Sequence, residues 1–565
     1  MEEINKEEQV VVTENSENSE TVVENKKSNF KKRKPKPKFP KENQSNAQLS
    51  SDGWVTDLKK ACMINDRIQR DRLNPHYKLN LNTSAKIRIT PLGGLNEIGG
   101  NMMVVETENQ ALIIDVGMSF PDEEMHGVDI LIPDFTYIRE IKDKIVGIII
   151  THGHEDHIGA MPYLFKEMQF PVYGTSLPLE MIGSKFDEHK MKEHRNYFRA
   201  IQKRTPIQIG EFEVEWMHIT HSIIDSSAIA VKTEAGTWIH TGDFKIDHTP
   251  IDGFPTDLHR LAHYGEEGVL VLTSDSTNSH SPGFTKTEKS VGPTFDRIFS
   301  NAKGRVIMST FSSNIHRVAQ AIEKALVYGR KICVIGRSME KNLEIAMSLG
   351  YIKFPKDQFI EAHEVNKYND KEILIVTTGS QGESMSALYR MAIHEHRHIK
   401  IKPDDQIILS AKAIPGNEGS VSGIINHLLK AGAKVAYQDY ADIHVSGHAA
   451  QEEQKLMLRL VKPKFFLPVH GEYNHALKHG QTGIDCGVLE RNVYIMSDGE
   501  QIEITPKYLK KARTIKTGKV YIDNQLNHKI SDDVILDRQT MASEGVVMIV
   551  AQINEDDRTL SQRPK

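Results

Sequence analysis

Four side chains that readily bind metal ions fall on six consecutive residues of the stretch "THGHEDHIGA", Thr151–Ala160. They are His152, His154, Asp156 and His157. Imidazole and carboxylate groups suit Zn²⁺ or Mn²⁺, and one tetrahedral ion needs no such surplus if further ligands arrive from elsewhere. The surplus therefore indicates two ions, about 3.5–4 Å apart. A solvated polar loop is the alternative interpretation.

Three further candidate ligands lie at the ends of apolar runs downstream. His221 stands in "MHITHSIIDSSA", Asp243 follows "TWIHTG", and His470 follows "FFLPV". Strand ends are positions where a rigid scaffold places functional side chains. Taken singly, each would more often be a hydrogen-bonded structural residue. Together with the first cluster they predict one metal site.

Two different sequence patterns must position these residues. From about residue 85 to 277, short β-like runs such as "KIRITPLGG" and "ALIIDVG" alternate with Gly and Asn turns. From about 281 to 440, helical runs alternate with apolar strands, beginning with "VGPTFDRIFSNA" and "RVIMSTF". This alternation predicts right-handed βαβ units and a parallel sheet, with helices ending at glycines such as Gly329 and Gly432. One more helix and strand follow, and their His-bearing ends resemble the first block.

At 565 residues the chain is too long for one hydrophobic core, so two or three domains are expected. The 71 basic and 76 acidic side chains give a net charge of −5, so no overall basicity indicates a nucleic-acid partner. Cys62, Cys333 and Cys486 lie far apart, which argues against a disulfide framework and a thiolate zinc site and favours a reducing, cytoplasmic compartment. No secretory leader is evident, and no apolar run approaches the roughly 20 residues that span a bilayer.

The two ends of the chain differ from the rest. Residues 1–51 are rich in Glu, Asn, Ser and Lys without apolar periodicity, which predicts a disordered arm, and Lys26–Lys41 is its basic half. A solubilising tail and a sequence-independent contact with RNA or DNA both stay open, and a nuclear-import signal is weaker. The last stretch, "GVVMIVAQINEDDRTLSQRPK", begins a new strand pattern with too little chain for another core. We therefore expect the sequence to stop inside a third domain.

The joint ligand pattern resembles the metallo-β-lactamase superfamily. By position, the resemblance implies one metal ion held by His152, His154 and His221, a second held by Asp156, His157 and His470, and Asp243 bridging both. Asp115, in "ALIIDVG", matches an acidic position of the superfamily and would orient ligands by hydrogen bonds.

The insertion at residues 281–440 is similar to that of the beta-CASP nucleases, a branch of this superfamily. That branch has an acidic residue where "LTSDST" has Asp275 and a histidine where "HVSGHA" has His448. "PLGGLNEIGGNM", "TTGSQGE" and "IPGNE" resemble bacterial ribonuclease J more closely still, across most of residues 85–500. The resemblance implies that His448 contacts the scissile phosphate and protonates the leaving oxygen, while Asp275 holds its tautomer. Asp156 is expected to be catalytic as well as a ligand.

Residues that would grip the substrate follow from the same resemblance. In ribonuclease J a 5′-monophosphate end is bound near the "HVSGH" segment, and turns between a strand and a helix can cradle phosphate. The candidates are His444, Ser446, Ser312, Ser313, Gly379, Ser380 and Gln381. At Asn314 the chain departs from the "FASH" type of segment, in which a His follows the serine.

These features predict an α/β protein: a metallo-β-lactamase αββα sandwich with an inserted parallel α/β beta-CASP domain and a partial C-terminal α+β domain. The predicted boundaries are 1–84 for the charged arm and lead-in, 85–280 and 441–510 for the two parts of the metallo-β-lactamase domain, 281–440 for the beta-CASP domain, and 511–565 for a linker and the start of the C-terminal domain.

The resemblance implies a ribonuclease with 5′-to-3′ exonuclease and endonuclease activity on single-stranded RNA, preferring 5′-monophosphate ends, in RNA maturation and decay. Hydrolysis would use a hydroxide that bridges two divalent ions, Zn²⁺ or alternatively Mn²⁺. Expected partners are single-stranded RNA, further copies of the chain in a dimer or tetramer, and an RNA helicase or ribosome-associated assembly, with no membrane. A DNA-processing nuclease of the same branch and an RNA-binding scaffold are the alternative interpretations.

Overall fold

The computed structural model describes residues 53–560 apart from 74, 79–81, 123–124, 384–385, 414–416, 438–441, 524–527, 546, 548, 555 and 557. The arm predicted at residues 1–51 lies outside the described residues. The chain divides into two compact units, Met1–Asp66 and Arg67–Lys565. Helix α1 (Trp54–Leu73) begins in the first unit, where the sequence pattern predicts no helix or strand. The second unit contains all the remaining elements.

Short strands dominate the first part of the second unit, as the turn-rich pattern predicts. The elements are β1 (Ile87–Gly93), β2 (Met102–Glu106), β3 (Ala111–Ile114), β4 (Ile130–Pro133), α2 (Thr136–Ile141), β5 (Ile145–Ile149), α3 (Glu155–Ile158), α4 (Met161–Glu167), β6 (Val172–Gly174), α5 (Ser176–Glu188), β7 (Phe198–Ala200), β8 (Ile207–Ile209), β9 (Phe212–His218), β10 (Ser227–Thr233), β11 (Gly236–His240), α6 (Leu258–Glu267) and β12 (Val269–Asp275).

Helices and strands then alternate, as predicted. The elements are α7 (Gly292–Asn301), β13 (Val306–Ser309), α8 (Ile315–Val327), β14 (Lys331–Ile335), α9 (Arg337–Ser348), β15 (Ile373–Thr377), α10 (Ala387–Ala392), β16 (Gln406–Leu409), α11 (Glu418–Lys430) and β17 (Lys434–Ala436). The five strands pair in parallel in the order β14-β15-β13-β16-β17. Gly329 and Gly432, just after α8 and α11, have φ of 65° and 86°, so the chain leaves both helices through the left-handed region, as glycine caps do.

The last part returns to the sheets of the first. Its elements are α12 (Gln451–Val461), β18 (Phe465–Val469), α13 (Tyr473–Asp485), β19 (Glu500–Ile504), β20 (Leu509–Thr514), β21 (Lys519–Asp523), β22 (His528–Ile530) and α14 (Asp532–Glu544). β18 joins β12, β19 joins β1, and β21 lies between β22 and β4 in a small three-stranded sheet. No helix among the described residues is both long and apolar enough to cross a membrane.

Two large sheets pack face to face around the main core. One has the order β20-β19-β1-β2-β3-β5-β6-β7 and the other β18-β12-β11-β10-β9-β8. Trp216 and Trp238 are fully buried between them with aliphatic residues of both sheets. Helices α4 and α5 cover the outer face of the first sheet, and α6 and α12 cover that of the second. This four-layer arrangement with its parallel α/β insertion confirms the predicted fold class.

The direction of the strands decides at which edge of each sheet functional side chains can gather. β11, β12 and β18 are parallel neighbours, as are β3 and β5, so their carboxyl ends lie at one edge of each sheet. Apolar residues fill these strands because both faces are covered, and polar side chains are left to the loops that follow. In packed sheets of this kind, the carboxyl ends of the strands are where ligands bind.

Candidate metal centre

Each of the seven predicted metal ligands follows the end of a strand. His152 to His157 lie in the turn after β5 and in α3, and the other three follow β9, β11 and β18. His470 adopts φ of 56°, a left-handed conformation that is uncommon outside glycine and that costs energy unless the surroundings hold it. This conformation ends β18 and sets the direction of the His470 ring.

Four of these side chains form one group around a common point. Within this group all the ligand atoms lie within 4.8 Å of one another, and the same is true within the second group described below. In the first cluster, Nδ1 of His154 lies 3.1 Å from Nε2 of His152 and 3.2 Å from Nε2 of His221. Oδ2 of Asp243 lies 3.7 Å and 3.8 Å from the same two Nε2 atoms.

The second group shares the Asp243 carboxylate. Its Oδ2 lies 3.2 Å from Nε2 of His157 and 3.1 Å from Nε2 of His470. Oδ2 of Asp156 lies 3.6 Å and 4.0 Å from those nitrogens. The division into two groups of four with Asp243 in both is the one that the family resemblance implies.

These spacings fit divalent ions. Donors at about 2.0–2.1 Å from a tetrahedral ion lie about 3.3 Å from one another, close to the separations in both groups. Nitrogen and oxygen donors without sulfur suit Zn²⁺ and also Mn²⁺. The donor set therefore fits two divalent metal ions, either Zn²⁺ or Mn²⁺.

Hydrogen bonds around the ligands direct their free nitrogens inward. Asp115 accepts from Nδ1–H of His157 at 2.7 Å and from the Thr151 hydroxyl at 2.7 Å. That hydroxyl oxygen accepts from Nδ1–H of His152 at 3.0 Å. Both rings are thereby held in the tautomer that leaves Nε2 for a metal ion. Asp115 is thus placed for the orienting role that the sequence resemblance implies.

Two residues that support the ligands, Asn101 and Gly447, were not predicted from the sequence. The Asn101 amide oxygen accepts from Nδ1–H of His470 at 2.9 Å, and its nitrogen donates to Oδ2 of Asp156 at 3.2 Å. The carbonyl of Gly447 accepts from Nδ1–H of His221 at 2.7 Å. A Cβ at Gly447 would lie 2.7 Å from Cε1 of that ring, so only glycine fits there. Asn101 stands in "PLGGLNEIGGNM", a stretch singled out for its resemblance but not assigned a functional residue.

The electrostatics of the two groups differ. Burial lowers the pKa of the three histidines of the first group, in His154 to about 4, so these rings are neutral. For His157 and His470 burial also acts to lower the pKa, but the carboxylate of Asp243 and its neighbours outweigh it and raise the pKa. A metal cation bound by the second group would therefore compete with protons for the same nitrogens.

Asp275 and His448 form a pair beside the second group. Nδ1–H of His448 donates to Oδ2 of Asp275 at 2.8 Å, and both lie in a cluster with His470. Burial acts to lower the pKa of His448, but the Asp275 carboxylate outweighs it and raises the pKa to about 9. The side chain of His448 is 22 % exposed and that of Asp156 is 26 % exposed, while most of the other ligands are almost fully buried. These two side chains mark the open side of the centre.

The predicted substrate-binding residues lie in two regions. Ser446 belongs to the loop that carries His448, and its hydroxyl oxygen accepts from the backbone N–H of His448 at 3.1 Å. Burial lowers the pKa of His444 to about 3, so this ring could offer a phosphate a hydrogen bond but no charge. The remaining candidates follow the parallel strands β13 and β15 at one edge of the inserted sheet: Ser312, Ser313, Gly379, Ser380 and Gln381.

Two of those loop residues are already engaged within the protein. The Ser312 hydroxyl accepts from the Asn342 amide at 3.3 Å, and the Gln381 amide donates to the carbonyl of Lys412 at 2.9 Å. Ser380 and Gln381 are buried, whereas Ser312 and Ser313 are partly exposed. A direct contact with substrate is therefore sterically easier for the serines of the first loop.

Three parts of the sequence match known families. Residues 95–273 match the metallo-beta-lactamase superfamily, residues 303–428 match the ribonuclease J beta-CASP domain, and residues 432–494 match the Zn-dependent metallo-hydrolase RNA specificity domain. A crystal structure of a protein of unknown function from Enterococcus faecalis superposes with a TM-score of 0.53 at 16% sequence identity, covering 74% of this chain and 100% of that one. At this identity the structural match supports the fold alone.

Curated relatives extend the match over most of the chain. The ribonuclease J of Helicobacter pylori strain 26695 is 65% identical over 508 residues, which cover 90% of this chain and 74% of the relative. The ribonuclease J of Synechocystis is 42% identical, covering 85% of this chain and 75% of the relative. The ribonuclease J 1 of Streptococcus pyogenes is 41% identical, covering 85% of each. With identities this high over most of both chains, the chain belongs to the ribonuclease J family.

Proposed function

We propose that this chain is a metal-dependent ribonuclease that hydrolyses single-stranded RNA, both from the 5′ end and internally, with a preference for 5′-monophosphate ends. The observation that carries the proposal is the pair of four-ligand groups that share Asp243 beside the Asp275–His448 pair. The names of the relatives and of the matched RNA specificity domain support RNA as the substrate class. Roles in rRNA processing and mRNA decay follow from the same resemblance.

Seven side chains would hold two divalent ions, Zn²⁺ or alternatively Mn²⁺. They are His152, His154 and His221 for one ion, Asp156, His157 and His470 for the other, and Asp243 for both. When bound, such ions supply a nucleophile at neutral pH and neutralise charge that develops on a phosphate. Asp115 would keep the rings oriented through the contacts described above.

The chain itself would handle the leaving group. Asp275 holds the proton on Nδ1 of His448, which leaves Nε2 to face a bound phosphodiester on the open side of the centre. From there, His448 would contact the scissile phosphate and pass a proton to the leaving oxygen. Asp156, which is partly exposed on that side, would be one of the ligands of the second ion.

Substrate binding would depend on phosphate contacts rather than on base recognition. Backbone N–H groups and hydroxyls at strand-to-helix turns, together with His444 and Ser446, would hold the 5′ end. The proposed grip residues after β13 and β15 are Ser312, Ser313, Gly379, Ser380 and Gln381. Sequence selectivity is then expected to be slight.

Assembly and location are proposed from the resemblance alone. They comprise a homodimer or homotetramer, association with an RNA helicase or a ribosome-associated assembly, and a cytoplasmic location. All three cysteines are unpaired, which is consistent with a reducing compartment. Light scattering on the purified chain tests the oligomeric state.

The test of function uses labelled single-stranded RNA with a 5′ monophosphate, triphosphate or hydroxyl, and DNA of the same sequence, with Zn²⁺ or Mn²⁺. We expect release of mononucleotides chiefly from monophosphorylated RNA, and a loss of at least about a thousandfold in Asp156→Ala/His157→Ala. The control is Asp357→Ala/His363→Ala, a pair of exposed residues away from the centre. Undiminished cleavage by the first double variant would disprove the two-metal mechanism. Faster cleavage of DNA would favour a DNA nuclease, and RNA binding without cleavage would favour a scaffold.

A further inference from the structure

Arg317, on α8 of the inserted domain, is fully buried although it carries a charge. Its guanidinium forms a two-pronged ion pair with Glu288, in which Nη2 lies 2.9 Å from Oε2. It also donates to the carbonyl of Ile443 at 3.1 Å and to that of Val445 at 3.4 Å. A single side chain therefore satisfies two backbone carbonyls of the chain that leads into the catalytic loop.

We call residues 443–448 the His448 segment. Different parts of the protein donate hydrogen bonds to its carbonyls. Arg317 donates to those of Ile443 and Val445, and His221 donates to that of Gly447 at 2.7 Å. The carbonyl of His448 accepts from the Thr285 hydroxyl at 2.8 Å. Side chains outside the segment therefore bind the carbonyls of Ile443, Val445, Gly447 and His448, and the segment belongs to no helix or strand. Its conformation thus depends on those surrounding donors.

Ion pairs through Glu288 connect the same guanidinium to Lys245, a residue close in sequence to the metal centre. Lys245, two residues after Asp243, is buried with Nζ 3.8 Å from Oε2 of Glu288 and 3.7 Å from Oδ2 of Asp247. Glu288 therefore lies between Lys245 and Arg317. Burial acts to raise the pKa of Glu288, but the charge of Arg317 outweighs it and lowers the pKa, so the carboxylate stays ionised.

We propose that Arg317 is a positioning residue that fixes the His448 segment against the metal centre, so that Ser446 and His448 face the substrate in one geometry. This inference rests on the proposed function, because it concerns the same site. Lysine could keep the charge but not the contacts, since a guanidinium presents five donors in a rigid fork and an ammonium is a single point. Arg317→Lys therefore separates charge from geometry.

Arg305 offers a matched control in the same domain. It is equally buried, its Nε donates to Asp405 at 2.9 Å, and Nη2 donates to the carbonyl of Lys400 at 2.7 Å. Arg305→Lys should destabilise the inserted domain to a similar degree without touching the His448 segment. A difference between the two variants then reports position rather than general stability.

Ser410 offers a milder second variant. Its hydroxyl accepts from Nη1 of Arg317 at 2.8 Å and donates to the carbonyl of Ile443. Ser410→Ala removes one anchor of the segment and leaves the buried ion pair intact. We expect its effects to have the same direction as those of Arg317→Lys and to be smaller.

The experiment measures two quantities on the metal-loaded full chain. Hydrogen–deuterium exchange of peptides covering 442–449 should become at least about tenfold faster in Arg317→Lys and stay unchanged in Arg305→Lys. The kcat for 5′-monophosphorylated RNA should fall about tenfold to a hundredfold in Arg317→Lys, at unchanged metal content, because small displacements of catalytic groups have effects of that size.

The outcomes separate the inference from the function on which it rests. Exchange that is unchanged in Arg317→Lys, or equal to that of Arg305→Lys, would overturn the positioning role. Faster exchange with undiminished kcat would also overturn it, since the segment would then be held for stability only. If the unsubstituted chain cleaves no RNA, the proposed function fails, and the exchange data alone decide whether Arg317 holds the segment.

Discussion

The Asn101 amide oxygen accepts a hydrogen bond from Nδ1–H of His470 at 2.9 Å, although the two residues are 369 positions apart in sequence. Through its nitrogen the same amide donates to Oδ2 of Asp156 at 3.2 Å. One neutral side chain thus holds two members of the second ligand group, one an imidazole and the other a carboxylate. The amide supplies both the acceptor that His470 needs and the donor that Asp156 needs.

Asn101→Asp should weaken metal binding in the second group by about 10- to 100-fold. A carboxylate at that position would repel Asp156 and could no longer donate to it. Metal affinity is measured by competition with a chelator of known affinity, and Asn301→Asp, at the exposed end of α7, is the control. Equal affinity in Asn101→Asp and the unsubstituted chain would show that the amide does not support the ligands.

Asp275→Asn should reduce RNA cleavage by about 10²- to 10⁴-fold, close to the loss in His448→Ala. The substitution removes the charged acceptor for Nδ1–H of His448 and leaves the seven proposed metal ligands unsubstituted. Because the two residues act as a unit, the double variant should lose little more than either single one. Cleavage rates and metal content are measured together. Losses that multiply in the double variant would show that the two side chains act independently.

The burial of His479 should make the free energy of unfolding depend on pH. It is fully buried on α13 beside Phe466, and one ring nitrogen bonds the Ser276 hydroxyl at 3.0 Å. Burial lowers its pKa to about 3, so below about pH 6.5 the unfolded chain binds a proton that the folded chain does not. Stability therefore falls as the pH drops from 6.5 towards 3, by about 1.4 kcal/mol per unit, or about 2 kcal/mol at pH 5.

The test of that contribution is His479→Gln, which cannot take up a proton. The shift in denaturant midpoint between pH 7 and pH 5 should be smaller in this variant than in the unsubstituted chain. His363→Gln, on an exposed ring, serves as the control and should leave the shift unchanged. An equal shift in all three proteins would mean that other groups account for the acid sensitivity.

The local pattern of apolar and polar residues was sufficient to predict much of the fold. The period of the apolar residues predicted the alternating helices and strands after residue 281, because each element buries a face with its own repeat. Helix α1 was not anticipated, since its sequence has the charged composition of the arm that precedes it. The order of the described strands in the sheets could not be predicted from periodicity either. β18 and β19 join sheets whose first strands lie more than 150 residues earlier in the chain.

The candidate site divides in the same way. The sequence by itself determined which side chains could bind metal, because imidazole and carboxylate groups crowd into "HGHEDH" and recur at strand ends. Only the tertiary structure decided that Asn101 supports His470 and that Arg317 reaches the carbonyls of Ile443 and Val445. These are contacts between residues far apart in sequence. Asparagine and arginine occur throughout a chain in many roles, and they acquire a specific one only when folding buries them beside a partner that must be satisfied.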